Sequence, residues 1–88
     1  MHKIISRAIG QRIRMRREIL GWNMQTLVEK MGLSQQQLSR YESGDSQVTA
    51  RRLFHIAVIL DTDIHWFFAD CNLHVEKHRH ENHWDRHS

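Results

Sequence analysis

Residues 21–44, GWNMQTLVEKMGLSQQQLSRYESG, hold two short helical patterns hinged at Gly32. In the first, Leu27, Val28 and Met31 form an apolar stripe, and in the second Leu38 and Tyr41 do the same. Segments of about eight residues are too short to be stable helices alone, so both stripes must pack on a shared core. The second segment opens with Gln35, Gln36 and Gln37 and carries Arg40, and a buried helix would not spend those positions on amides and a guanidinium. One flank of this unit is therefore predicted to face outward.

The flanking sequence supplies the rest of a helical domain. From Ser6 to Leu20, the residues Ile5, Ile9, Ile13 and Leu20, with Met15 or Ile19 beside them, recur at helical spacing until Gly21. Asn23 is a suitable N-cap for a helix over 24–31, and Gly32 suits a left-handed residue at its end. Ser34 and Gln37 have capping-box spacing, in which the hydroxyl accepts from the N3 amide and the Gln side chain reaches back. That helix, residues 34–43, stops at Gly44. After a loop, Thr49 caps a fourth helix with Leu53, Ile56, Ala57 and Leu60 inside and Phe54 near the edge. Asp63 caps a last short helix whose Trp66, Phe67 and Phe68 are expected to form an aromatic lid.

A chain of 88 residues suits one core, since a domain this small buries only about 60–65% of its unfolded surface. The absence of proline, the four glycines and the lack of alternating β-branched runs favour an all-α class, a compact five-helix domain over residues 1–68. Residues 69–88 read as a His-rich tail or an extra helix. The single cysteine, Cys71, excludes an internal disulfide framework, and no long apolar run or signal-peptide pattern appears, so the chain reads as soluble and cytoplasmic. Basic residues concentrate in the first helical pattern, where Lys3, Arg7, Arg12, Arg14, Arg16 and Arg17 suit either a polyanion or a solvated face.

On the predicted 34–43 helix, Gln35, Gln36, Ser39, Arg40 and Ser43 fall opposite Leu38 and Tyr41. Amide and guanidinium ends are planar and two-pronged, the shape that matches the major-groove edges of adenine and guanine. Two helices joined by a short Gly-containing turn are the layout of a helix-turn-helix. Beyond the spacing, the run from Ile9 to Phe68 resembles the Cro and lambda-repressor type of helix-turn-helix proteins, also called the XRE family. The resemblance is carried by Ile13, Arg17, Leu27, Gly32, Leu33-Ser34, and Ser39-Arg40-Tyr41-Glu42 followed by Gly44.

The resemblance implies a lambda-repressor-like DNA-binding domain and a brace between Arg17 and Glu42. It places Gln35, Gln36, Ser39 and Arg40 at base-contacting positions, and makes Arg14, Asn23, Gln25 and Ser43 candidates for phosphate contacts. Two positions depart from the pattern: Met24 stands where many relatives have a phosphate-binding Gln, and Val28 replaces a small Ala between helices 2 and 3. The expected function is a sequence-specific regulator of transcription, a repressor although the residues do not distinguish repression from activation, binding a double-stranded operator as a homodimer, with no cofactor. Trp66, Phe67, Phe68 and the tail are the candidate dimer contacts.

The tail leaves two other readings open. An antitoxin-like protein would use it to neutralise a partner toxin, and a metal-responsive regulator would use His74, His78, His83 and His87, which include helical i, i+4 spacings. No fixed zinc-finger spacing is present among these histidines. His2, His55 and His65 read as ordinary surface or boundary residues, and Trp84 as an exposed ring. No glycine-rich phosphate loop, apolar carboxylate pair or positioned nucleophile is present, so an enzyme is not expected.

Overall fold

A computed structural model describes residues 2–71. Four α-helices, α1 (His2–Ile19), α2 (Met24–Met31), α3 (Gln35–Ser43) and α4 (Ala50–Ile59), are followed by a 3-10 helix, Ile64–Phe68. No strand is present among the described residues. Among the described residues the fold is all-helical, with five helical elements, as the periodicity predicts. The histidines of the tail, His74, His78, His80, His83 and His87, and Trp84 lie outside the described residues.

Each helix start after α1 has a local cause. Asn23 Oδ1 accepts from the Thr26 amide at 2.9 Å, Ser34 Oγ from the Gln37 amide at 3.1 Å, and Thr49 Oγ1 from the Arg52 amide at 3.1 Å. Asp63 accepts from the His65 amide at 2.9 Å. The capping box at Ser34 is only half made, because no reciprocal bond from the Gln37 side chain occurs among the described residues. Gly32 and Gly44 end α2 and α3 at φ 71° and 84°, a conformation in which a Cβ would be strained.

Helix α1 differs from its sequence pattern in starting at residue 2 rather than 6. Its first turns are held by tertiary contact: Ser6 and Ala8 are buried, and the chain at Gly44 comes so near that a Cβ there would lie 2.6 Å from Arg7 Cα. Met15 and Ile19, which the pattern placed beside the apolar stripe, are exposed, and Ile13 is the fully buried residue of α1.

The core is formed by Ile13, Leu27, Leu38, Ile56, Leu60 and Phe67, all completely buried and drawn from all five elements. Burial of each such side chain contributes about 1.5–3 kcal/mol. Only the centre of the aromatic lid is sealed. Trp66 and Phe68 are partly buried around Phe67, with the Trp66 and Phe67 rings edge to face at 5.4 Å between centroids. Residues 69–71 continue helically against α1, where Cys71 is buried and its Sγ lies 3.9 Å from the Ile5 carbonyl oxygen. Burial pushes the Cys71 thiol pKa up, and the neighbouring Asp70 carboxylate adds to the rise.

Candidate nucleic-acid interface

The outward flank of α3 is built from inside. Leu38 and Tyr41 point into the core, which turns Gln35, Gln36, Ser39 and Arg40 to solvent, all four exposed. No acidic side chain shares that flank within α3, because Glu42, the helix's one carboxylate, is buried. The first turn of α3 also leaves amide groups without helical partners, giving this end a partial positive charge.

What fixes α3 in place is a buried ion pair with α1. Arg17 Nε donates to Glu42 Oε2 at 2.8 Å and Nη2 donates to Oε1 at 3.0 Å, while Nη1 donates to the Trp22 carbonyl oxygen at 2.8 Å. One guanidinium thus ties together α1, the loop before α2, and α3. The hydrogen bonds to Glu42 raise the Arg17 pKa above its ordinary value, against the opposing effect of burial. Every buried side-chain nitrogen and oxygen among the described residues has a partner, so the pair brings no orphaned polar atom into the core.

The contact between α1 and α3 is closer still at Gly10. A Cβ added there would run into the Tyr41 carbonyl oxygen and lie 2.8 Å from that of Glu42. Gly10 is not among the sequence-predicted residues, although a glycine inside an amphipathic helical pattern is itself a signal of close backbone packing.

Helix α2 meets the flank through Gln25. Its Oε1 accepts from Gln35 Nε2 at 2.6 Å, and its own Nε2 donates to Glu29 at 2.8 Å. Gln35 is thereby oriented by its neighbour yet keeps a carbonyl oxygen and one N–H for a ligand. Asn23 spends its carbonyl oxygen on the α2 cap and on the Thr26 hydroxyl, leaving its amide Nδ2–H groups as donors. Ser43 lies at the end of the flank, where its hydroxyl donates to the Arg40 carbonyl oxygen at 3.2 Å and accepts from the Asp45 amide at 3.4 Å. Arg14 sits apart on α1, exposed and 3.1 Å from Glu18.

The basic helix is less available to a polyanion than its composition suggests. Arg12 makes a two-pronged pair with Asp70, at 3.1 and 3.2 Å, and stacks 4.5 Å from the centre of the Trp66 ring. Arg16 donates to the Leu60 carbonyl oxygen at the end of α4, 3.3 Å away, and Arg17 is committed to Glu42. Three of the six cations of α1 therefore hold the fold together. Lys3, Arg7 and Arg14 remain exposed. Nothing in the local sequence pairs Arg12 with Asp70, 58 positions apart.

Two capped helices joined through a left-handed glycine, the second with its polar flank outward and its root tied to α1, define a helix-turn-helix domain. The helix-turn-helix family model matches residues 13–67, well over half the chain, and the protein belongs to that family. This is the XRE type, a class of DNA-binding transcriptional regulators rather than enzymes.

Among its relatives, an uncharacterised transcriptional regulator in the ATPase CF(0) region of Rhodospirillum rubrum is 40% identical over 78 residues, covering 89% of this chain and 70% of that protein. An uncharacterised HTH-type transcriptional regulator of Sinorhizobium medicae is 42% identical over 63 residues, covering 72% of this chain and 45% of its own. The chain thus spans under half the length of the rhizobial relative. The crystal structure of the restriction-modification controller protein C.AhdI from Aeromonas hydrophila superposes with a TM-score of 0.66 at 27% identity, over 70% of this chain and 94% of that one. Among the described residues no helix is long and apolar enough to cross a membrane, and no group of three metal-ligating side chains occurs.

Proposed function

We propose that the protein is a sequence-specific transcriptional repressor that binds a double-stranded operator as a homodimer, with α3 of each copy in the major groove. The observation that carries this reading is the exposed, acid-free flank of Gln35, Gln36, Ser39 and Arg40 on a helix anchored by a buried ion pair. A rigid mount matters because a bidentate contact to a base edge tolerates little displacement. Gln35 and Gln36 suit adenine, and Arg40 suits guanine or a phosphate.

Around that flank, the Asn23 side-chain amide and Gln25 at the start of α2 approach the phosphates, and Arg14 exchanges its exposed carboxylate partner for one of them. An exposed i, i+4 pair such as Arg14–Glu18 contributes only about 0.3–0.5 kcal/mol, so the exchange costs little. Ser43 reaches a phosphate by giving up its bond to the Arg40 carbonyl.

Selection of bound duplexes from a random pool tests the reading, since half-site sequence and spacing report the contacts and the symmetry together. On the selected operator, Gln36→Ala should relax preference at one base pair by about 1–3 kcal/mol. Arg14→Ala should weaken all duplexes comparably and lower the salt slope by about 1. A pool that yields no enriched sequence, or equal losses on every duplex for both variants, would contradict the assignment.

A further inference from the structure

Five large apolar side chains are exposed among the described residues, and two of them, Phe54 at 63% and Val58 at 60%, stand one turn apart on α4. Phe67, a candidate dimer contact by sequence, is completely buried and unavailable to a second chain. The ridge of Phe54 and Val58 is flanked by two hollows. One is lined by Arg51, Arg52 and His55, the other by Ala57, Asp61 and Asp63, with Phe54 and Val58 bordering both. Cations therefore occupy one end of this face and carboxylates the other.

The spacing along the face is symmetric. Arg51 precedes Phe54 by three positions, Val58 follows Phe54 by four, and Asp61 follows Val58 by three. Read backwards, the series has an acid where the forward series has a base, and Val where it has Phe. Two copies laid antiparallel thus place each group against its complement, whereas parallel copies would set Arg51 on Arg51. Self-complementarity of this kind is what an isologous two-fold contact demands.

We infer that the α4 face of Arg51, Phe54 and Val58, with Asp61 beyond it, is the two-fold contact between two copies of this chain, the helices antiparallel. Phe54 packs against the partner's Val58, and Arg51 faces the partner's Asp61. This specifies the homodimer of the proposed function, but the surface is testable without DNA. A helix of ten residues offers less area than the about 800 Å² per partner of a standard interface, so the dimer should dissociate in the micromolar range, roughly 1–100 μM.

Sedimentation equilibrium of the full chain, without DNA, provides the test. The wild type should show a reversible monomer–dimer equilibrium, and Phe54→Asp should weaken it by about tenfold or more. Arg51→Glu and Asp61→Arg should each be largely monomeric, because each sets like charges opposite one another, whereas an equimolar mixture should restore dimers as heterodimers carrying both attractive pairs. Asp61 has φ 52°, which Asn also tolerates, so Asp61→Asn serves as a second, less strained charge removal, and helical circular dichroism verifies the fold of every variant.

A wild type that stays monomeric at high concentration, or a mixture no more associated than its components, would overturn the inference; so would a Phe54→Asp variant that dimerises normally, as expected if the tail or another face joins the copies. Phe54→Asp should still bind a single half-site as a monomer. Normal dimers that ignore every duplex would leave this contact standing and remove the DNA-binding reading instead.

Discussion

Gly10→Ala separates helix propensity from tertiary fit, because the two predict opposite signs. In the interior of α1, alanine is favoured over glycine by about 0.8–1.0 kcal/mol, so an isolated helix would be stabilised. In the folded protein the new Cβ meets the Tyr41 carbonyl oxygen and lies 2.8 and 2.9 Å from the Glu42 carbonyl oxygen and carbon. Carbon–oxygen approaches between backbones are normally about 3.3–3.6 Å. These are main-chain atoms, which cannot swing aside as a side-chain end could, so α1 must move away from α3.

That movement loosens the Arg17–Glu42 bonds of 2.8 and 3.0 Å between the same two helices, about two turns further along α1. Overpacking usually costs about 1–3 kcal/mol, and the strained ion pair puts the net loss at the upper end, about 2–3 kcal/mol. For a domain of this size each kcal/mol shifts Tm by about 4–8 °C, giving a fall of roughly 8–24 °C. Thermal melting followed by circular dichroism measures it, with Gln11→Ala, at the adjacent exposed position, as a control that should change little. A Gly10→Ala variant melting at or above the wild-type temperature would refute the reasoning.

Other substitutions probe the same framework. Glu42→Ala leaves the Arg17 guanidinium buried without its carboxylate and should cost about 3–5 kcal/mol in urea unfolding; a loss under 1 kcal/mol would mean the pair does not brace α3. Asn23→Ala removes the cap of α2 and should cost about 1 kcal/mol by the same assay, and no change in midpoint would discount the cap. For Cys71, the raised pKa means that the folded state holds the thiol proton more firmly than the unfolded chain. Its contribution to stability is therefore complete below the unfolded thiol pKa and is lost as pH rises through the folded value. Alkylation by iodoacetamide should accordingly be slower in the native protein than in urea near pH 8, where about a quarter of an ordinary thiol is ionised. Equal rates would show the thiol to be exposed.

Much of the fold is legible in the residues because its signals are local. A cap needs only Asn23, Ser34 or Thr49 at the right place, a helix end only Gly32 or Gly44, and an apolar stripe only a period, so α2, α3 and α4 follow from sequence alone. The outward position of Gln35, Gln36, Ser39 and Arg40 follows too, since Leu38 and Tyr41 claim the opposite side of one short helix. Tertiary structure decided which charges were already occupied. Arg12 and Asp70 are 58 positions apart, Arg16 finds a carbonyl on α4, and Gln25 meets Gln35 across two helices. It also sealed Phe67, left Phe54 and Val58 bare, and pressed Gly10 against the α3 backbone. Periodicity marks which side of a helix is apolar, but which neighbour covers that side depends on how the helices cross, and that depends on all of their side chains together.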